Sequence, residues 1–569
     1  MLRRTLPCLA LLIACPQVYA ADGTSTGNAA LAVYASTYSA IDNLGYAPED
    51  AAESVPRLEL SLKSDDAQVR WRAARALGLL GKASAAAAPA LVGLLSDSDP
   101  VVQVHASIAL ARIGDKSEAS LEALLGKVTS DDGRVARVAI QTLRHLGVPP
   151  EKLAGALEAV LESDDAAVMS HAVDALVNAG AEATPLLNAT LAKEKASYWA
   201  AVAIGEIGPD AAGTTPALID LVGRTADDET RQLALLALAK IGPDARESAS
   251  AIRSIAESTK DDGSRIVACY ALGAIGDASA SDLLTKLEST GGPFQAMSCA
   301  WSLAKLNPDD PTAQDHAIEK LVGGLMSERE LMRNAAAAGI KELAPPPEKI
   351  GPKLIAAVRT ATQEQKSYIA LALATLGPEI VPRTVNALGD PVLRDVAIEV
   401  LGRLGADAAD GVDGLIECLK LDAADNVARA QYALASIGDQ AGKAADGLAA
   451  NLTHEAEQVR QSALFALRQI GAEAQSATGP LQEFLDSADS EFEKYATAWA
   501  LSKMQLEAQV LEKVTASLNA ALESDDERVR LETIAAIRDL GPAGVVFEAK
   551  LKEMAANDPS AEVRAAAKD

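Results

Sequence analysis

Residues 66–81 read DAQVRWRAARALGLLG, and versions of this phrase return along almost the whole 569-residue chain. The glycine that closes the phrase recurs every 33 residues at first and with looser spacing later. The closing glycines are Gly81, Gly114, Gly147, Gly180, Gly208, Gly242, Gly276, Gly405, Gly438, Gly471 and Gly541. A fixed period of this length is typical of stacked supersecondary units. The sequence therefore predicts a repeat array rather than several separate globular domains.

The composition indicates a helical core built from small aliphatic side chains. Apolar residues make up 49% of the chain, whereas aromatic residues make up only 3%. Alanine is the strongest helix former, and strand-rich folds use more aromatic and β-branched residues. In a repeat array each unit buries its apolar face against its neighbours, so the core extends along the chain. We therefore expect an all-α fold of stacked helix pairs.

Each unit contains two helical phrases. The first often has proline in its opening turn, as at Pro89 and Pro216, where the missing N–H costs no helical hydrogen bond. The second opens with acidic or hydroxyl residues such as Ser64, Asp65 and Asp66, which suit a helix N-terminus. Apolar positions then recur at helical spacing until the closing glycine, which fits a left-handed residue that ends the helix.

The unit resembles the HEAT repeat, and in particular the short, regular HEAT repeats of phycobilisome-lyase-like proteins. The family pattern Asp-x-x-Val-Arg-x-x-Ala-x-x-Ala-Leu-Gly-x-Ile-Gly is matched from Asp66 to Gly81, and the resemblance covers about residues 50–569. It implies an all-α, right-handed α-solenoid (superhelix) of about 15–16 stacked HEAT helix pairs.

The resemblance also implies a structural ladder, in which the interhelix Asp and the Arg of the pattern connect successive units. The ladder residues expected here are Asp66, Arg70, Asp227, Arg231, Asp390, Arg394, Arg460, Asp526 and Arg530. In the second to fourth units the Arg position holds Gln103, Ala136 and Met169 instead. We therefore expect the ladder to be broken in those three units.

The first residues have the layout of a secretory signal peptide. Arg3 and Arg4 precede a short apolar run, and small or aliphatic residues precede a cut after Ala20. This predicts an exported protein, located in the periplasm or outside the cell. A second interpretation stays open, because the stretch from Leu12 to Cys15 resembles a bacterial lipobox, in which an acylated Cys15 would anchor the protein to a membrane.

The repeat register divides the chain. We predict a signal peptide at residues 1–20, and a flexible terminus with an N-terminal capping helix at 21–50. Regular HEAT repeats follow at 51–277. Irregular repeats with a candidate bend occupy 278–385, where closing prolines separate units of unequal length, and regular repeats return at 386–569.

The charge balance limits the class of partner. The formal net charge is −27, from 79 acidic and 52 basic residues, and this field repels the phosphates of nucleic acids. The same charge either keeps a long exposed surface soluble or attracts a basic protein. Beyond the leader, no stretch approaches eighteen unbroken apolar residues, so we expect no transmembrane helix.

No catalytic motif is recognisable, and the sequence predicts no enzyme, no metal site and no cofactor. Nucleophile elbows, zinc-binding His-Glu-x-x-His motifs and phosphate-cradling loops are missing, and the five histidines are scattered. The repeated Asp-Asp steps are expected to cap helices, with a Ca²⁺ ladder as the alternative. Cys269 and Cys299 are expected to be buried thiols on adjacent second helices, with a disulfide between them as the alternative.

The second helices line the concave face in HEAT solenoids, so the resemblance places the ligand there. The candidate protein-binding residues are Arg70, Trp71, Arg72, His105 and Trp199. All four tryptophans of the second helices, Trp71, Trp199, Trp301 and Trp499, are more often packing residues in such a position, with binding anchors as the alternative. The resulting hypothesis is a noncatalytic protein-binding scaffold of the cell envelope or periplasm. A bilin-lyase-like or chaperone activity and a structural envelope lipoprotein are the alternatives.

Overall fold

The computed structural model of the protein describes residues 51–148, 160–161 and 166–567, together with Ile41 and Leu44. The predicted signal peptide at 1–20, Cys15 within it, and all but two residues of the predicted terminus and capping helix at 21–50 lie outside the described residues. The chain forms two compact units, which comprise residues 1–179 and 180–569.

The described part of the first unit consists of helices arranged in consecutive antiparallel pairs. These helices are α1 (Ala51–Ser61), α2 (Ala67–Leu80), α3 (Ala88–Leu94), α4 (Pro100–Ile113), α5 (Glu118–Leu125), α6 (Gly133–His145) and α7 (Ala166–Ala179). Helices α2, α4, α6 and α7 are the second helices of their repeats, and α2 packs on α4, α4 on α6 and α6 on α7. Leu58, Leu77, Leu91 and Leu110 are fully buried between the helices.

The second unit continues the same pairing over twelve repeats. Its helices are α8 (Thr184–Leu191), α9 (Ser197–Ile207), α10 (Thr215–Arg224), α11 (Asp228–Ile241), α12 (Ala249–Ser258), α13 (Asp262–Ala274), α14 (Ser281–Thr290), α15 (Pro293–Leu306), α16 (Pro311–Leu325), α17 (Glu330–Leu343), α18 (Pro347–Val358), α19 (Gln363–Ala374), α20 (Val381–Ala387), α21 (Arg394–Leu404), α22 (Val412–Cys418), α23 (Ala424–Ile437), α24 (Ala445–Ala450), α25 (Glu457–Ile470), α26 (Thr478–Ser487), α27 (Glu491–Leu501), α28 (Ala508–Leu522), α29 (Glu527–Asp539), α30 (Glu548–Asn557) and α31 (Ala561–Ala566).

The all-α repeat fold is confirmed. The described helices form three complete pairs in the first unit and twelve in the second, and α7 is the second helix of one further pair. This number agrees with the expected 15–16 pairs, and the described residues contain no β-strand.

The closing glycines take backbone conformations that other residues avoid. All eleven have positive φ, as predicted. Gly81, however, has φ 56° and ψ −131°, so it does not occupy the ordinary left-handed helical region. The chain leaves Gly81 directly into a 3₁₀ helix, Gly81–Ala87, which leads into α3. Many repeats therefore contain a third, short helical element that the periodicity did not predict.

Further 3₁₀ segments follow the same pattern or a shorter version of it. They are Gly180–Ala183, Gly208–Thr214, Gly242–Ser248, Ala278–Ala280, Pro378–Ile380, Gly405–Gly411, Gly438–Ala444, Gly471–Ala477 and Gly541–Phe547. One other 3₁₀ segment, Asn451–Thr453, lies between the two helices of a single repeat. In the stretch 278–385 these segments are short or are replaced by loops, although the helix pairing continues. The division between the two compact units lies at residues 179 and 180. A bend within 278–385 stays a prediction.

One helical stretch, Ala67–Leu94, is long and apolar enough to cross a membrane by length and composition alone. It comprises α2, the 3₁₀ segment and α3, so the chain turns at Gly81 within it. Its helices bury Leu77 and Leu91 against neighbouring repeats. The stretch is therefore explained as part of the helical core.

Candidate protein-binding surface

An arginine fork connects the first repeat to the second. Arg70 on α2 donates from Nη1 to the carbonyl oxygens of Ser64 and Asp65, at 2.9 and 3.0 Å. Its Nε and Nη2 donate to the two carboxylate oxygens of Asp97, at 2.7 and 2.8 Å. Asp97 belongs to the turn of the next repeat, and hydrogen bonding from Arg70 lowers the pKa of that carboxyl group. Arg70 is therefore used inside the array rather than presented to a ligand.

Three more forks of this kind occur in the second unit, and in one of them Arg333 binds two carbonyls of its own turn and Glu364 of the following repeat. Arg530 binds both oxygens of Asp558, at 2.8 and 2.9 Å, and both side chains are buried. Arg460 donates from Nε to the buried Glu493 at 2.9 Å. In each pair the acid belongs to the following repeat, so these arginines connect successive repeats.

Three of the four Asp residues assigned to the ladder from the sequence have a different, local function. Asp66, Asp227 and Asp526 accept hydrogen bonds from backbone N–H groups at the start of their own second helices, at 2.8, 2.9 and 2.8 Å. Asp390 accepts a hydrogen bond from Arg359 of the preceding repeat, at 2.8 Å, so it connects two repeats through an arginine other than the predicted one. The acid that pairs with Arg70 is thus Asp97, which lies two residues before Asp99, the capping residue of the next second helix.

Two of the predicted ladder arginines bind within their own repeat. Arg231 pairs with Asp228 and also donates to a carbonyl oxygen of the preceding turn. Arg394 donates from Nε to the carbonyl of Leu388 at 2.8 Å. These two positions therefore show the turn contact of the fork without the bond to the next repeat.

All arginines at the repeat position of Arg70 share one hydrogen bond, which they donate to a carbonyl of the preceding turn. Every Arg there donates to the carbonyl six residues before it, at Arg70, Arg231, Arg265, Arg333, Arg394, Arg460, Arg530 and Arg564. Gln103, where the ladder was expected to break, keeps this bond by donating from Nε2 to the carbonyl of Asp97 at 2.6 Å. Ala136 and Met169 are buried and supply no such donor.

Three of the predicted binding residues lie together on the second helices of the first unit. The rings of Trp71 and His105 stack with centroids 4.9 Å apart and planes inclined by 22°. The guanidinium of Arg72 lies 4.3 Å from the Trp71 ring centroid, and Trp71 Nε1 donates to Gln68 at 3.1 Å. Trp71, Arg72 and His105 are all partly exposed. They therefore form one surface cluster, which we call the Trp71 cluster.

The Trp71 cluster lies in a positive local field. Burial, together with the smaller effects of the charges on Arg75, Arg112 and Arg72, lowers the pKa of His105 to about 4. His105 is therefore neutral at pH 7 and acts in the cluster as a flat aromatic ring.

Trp199, the remaining predicted binding residue, lies in the second unit on α9. It is partly exposed, and its ring meets that of Tyr198 edge-on, with centroids 5.1 Å apart. Trp301 and Trp499 differ from it, since they are only 4% and 6% exposed. Their Nε1 groups donate to the carbonyl of Gly339 and the hydroxyl of Thr533. Trp301 and Trp499 are therefore packing residues.

The structure also shows exposed aromatic residues that the sequence interpretation missed. Tyr432 on α23 and Phe465 on α25 are 52% and 44% exposed, and their ring centroids are 5.6 Å apart. Both residues lie six positions before a closing glycine. An open depression beside Tyr432 is lined by Glu399, Arg403 and Arg429. Their shared repeat position could have predicted this exposure, because that position faces outward on both second helices.

The structure gives no grouping of side chains for a metal site among the described residues, and two of the cysteines are buried. Within the described ranges, no three His, Cys, Asp or Glu side chains are grouped closely enough to hold a metal ion. Cys269 and Cys299 are buried free thiols, and the hydrogen bond between them raises the pKa of Cys299. The disulfide alternative is therefore not realised in this structure.

Comparisons with known proteins identify the repeat. Residues 55–144 match the family model described as HEAT repeats. No curated protein matches the chain. Among solved structures, the chain is similar to the Kap95:Nup1 complex, with 13% identity, coverage of 91% of this chain and 83% of that chain, and a TM-score of 0.47. It is also similar to a crystal structure of importin beta obtained in ammonium sulfate, with 13% identity, coverage of 91% of this chain and 89% of that chain, and a TM-score of 0.40.

Proposed function

We propose that this chain, which is a HEAT-repeat protein, is a noncatalytic scaffold that binds another protein on the exposed surface of its second helices. The Trp71 cluster is the observation that carries the proposal. Tryptophan and arginine are the residues that most often dominate binding energy at protein interfaces. An indole that stacks on His105 and Arg72 while still partly exposed is already held in one orientation, which lowers the entropy cost of binding.

The contrast among the tryptophans supports this proposal. Trp301 and Trp499 are buried, and each satisfies its indole N–H inside the core. Trp71 instead leaves part of its ring on the surface, next to two other partly exposed side chains. The Tyr432 and Phe465 pair gives the second unit a comparable exposed aromatic surface on second helices.

We expect Trp71→Ala to reduce partner recovery by about 30-fold, the effect of losing a strong interface residue. The experiment compares wild-type and Trp71→Ala protein as baits for the native envelope fraction, with quantitative mass spectrometry of the proteins retained. Leu60→Ala is the matched control, because Leu60 is 72% exposed on the first helix α1. Equal recovery by both variants, with unchanged thermal unfolding, would remove the Trp71 cluster from the binding site. Loss of the thermal transition in Trp71→Ala would assign Trp71 to the core.

We also propose that the scaffold is exported and acts in the periplasm, outside the cell or at the cell envelope. The support is the signal-like pattern of residues 1–20. The intact mass of the protein purified from its native cells tests this. A mature chain starting at Ala21 supports release as a free protein, and an acylated chain starting at Cys15 supports a lipid-anchored envelope protein. A chain that keeps residues 1–20 contradicts export by this leader.

A further inference from the structure

The second helices of the first unit have a charge opposite to that of the whole chain. The chain carries 79 acidic and 52 basic residues, yet α2, α4 and α6 contain no Asp or Glu. They contain the arginines Arg70, Arg72, Arg75, Arg112, Arg134, Arg137 and Arg144. Arg70 and Arg134 are paired with Asp97 and Asp132. These three second helices are therefore rich in arginine, although the chain as a whole is acidic.

The positive field continues beyond the Trp71 cluster. His171 on α7 has its pKa lowered chiefly by burial, while Asp174 raises it and the charges of Arg137 and Arg144 lower it. Asp174, the only acidic residue of α7, lies 3.9 Å from His171. Positive charge thus acts on the histidines of both α4 and α7.

The excess of positive charge is local to the surroundings of His105, where Arg72, Arg75 and Arg112 act, whereas Asp66, Asp97 and Asp99 lie near Arg70 at the helix starts. At physiological ionic strength the Debye length is about 8 Å, so distant acidic residues are screened while adjacent arginines are not. Guanidinium groups bind carboxylates through two parallel hydrogen bonds, and the Trp71 ring supplies an apolar platform beside them. The surface therefore suits a chain segment that combines carboxylates with an apolar or aromatic side chain.

A nucleic acid fits this surface less well than an acidic protein segment. Duplex DNA carries one negative charge per about 1.7 Å and extends far beyond a patch of a few helices. Its remaining phosphates would face a chain whose net charge is −27. A short acidic segment of a protein can confine its charge to the arginine-rich surface.

We propose that the second-helix surface of the first unit, centred on Trp71, His105 and Arg112, binds an acidic segment of a protein partner. This inference rests on the proposed scaffold function and specifies the chemistry of the partner. It replaces, for this surface, the basic partner that the net charge suggested.

The test measures fluorescence anisotropy of labelled peptides with the purified mature protein. We expect an oligo-glutamate peptide to bind, an oligo-lysine peptide of equal length to bind at least about tenfold more weakly, and the glutamate affinity to fall as salt is raised. Arg112→Glu should weaken glutamate binding by about tenfold. Arg57→Glu is the matched control, since Arg57 is exposed on α1 and changes the net charge equally. Arg57→Glu should change the affinity less than about twofold.

Several results would overturn the inference. These are tighter binding of oligo-lysine, no binding of oligo-glutamate, equal losses in Arg112→Glu and Arg57→Glu, or tighter binding of a single-stranded oligonucleotide of equal charge. The salt series uses wild-type protein, so it remains decisive if a variant fails to fold. If the envelope fraction yields a Trp71-dependent partner while oligo-glutamate does not bind, the acidic-segment inference fails and the scaffold function stands. If oligo-glutamate binds but no partner is recovered, the scaffold function fails.

Discussion

Gly273→Ala is expected to lower the free energy of unfolding by about 3 kcal/mol, because α13 and α15 touch at this glycine. A Cβ at position 273 would lie 2.6 Å from the Cα of Ser302 and 2.5 Å from its Oγ. The nearest atoms include backbone, so no side-chain rotation can relieve the contact. The helices would have to separate, and the buried bond from Ser302 Oγ to the carbonyl of Cys269, now 2.8 Å, would be lost.

Equilibrium urea unfolding followed by circular dichroism measures the effect of Gly273→Ala. Gly223→Ala is the matched control, because Gly223 is exposed on α10 and a Cβ there meets no atom within 4 Å. We expect Gly223→Ala to raise stability by about 0.5 kcal/mol through helix propensity. If both variants unfold at the same urea concentration, the two helices are not in close contact at Gly273.

Asp558→Ala is expected to destabilise the C-terminal repeats by about 3 kcal/mol, since it leaves the buried guanidinium of Arg530 without its carboxylate. The Arg530 and Asp558 side chains are only 8% and 4% exposed, and their two hydrogen bonds are parallel. Thermal unfolding of the single variants and of the double variant Arg530→Met/Asp558→Leu measures the coupling between the two residues. The double variant should recover most of the loss, because it leaves neither charge buried alone.

An exposed ion pair serves as the control for this comparison of single and double variants. Arg134 pairs with Asp132 at 2.8 Å, but the Arg134 side chain is 58% exposed. Arg134→Ala should change stability by no more than about 0.5 kcal/mol. A loss in Asp558→Ala as small as that in Arg134→Ala, or strictly additive losses across the cycle, would show that the buried fork contributes little.

The repeat signal was sufficient to predict the helix pairs and the positions of their ends. Closing glycines and capping aspartates are local features, because each acts on the backbone within a few residues of itself. The 3₁₀ segments such as Gly81–Ala87 were missed because short runs of small residues carry no distinct periodicity. Sequence reasoning therefore predicted the main helices and missed the element between repeats.

The site was predicted less completely, because side-chain direction depends on register. Trp71 and Trp301 both occupy second helices, yet one is partly exposed and the other buried. The sequence analysis grouped Arg70 with Trp71 and Arg72 as a binding residue. In the structure Arg70 lies on a different side of the helix and bonds to the preceding turn and to Asp97. Adjacent acidic residues in one turn also look alike in sequence, so the capping Asp66 was assigned to the ladder.

The arginine forks make the stiffness of the array uneven. A fork that bonds to its own turn and to the following repeat transmits strain from one repeat to the next, as Arg460 does through Glu493. At Ala136 and Met169 only apolar contacts remain at this position, and such contacts resist sliding weakly because they have no preferred direction. We therefore expect repeats joined by a fork to resist sliding against each other more than the repeats at Ala136 and Met169 do.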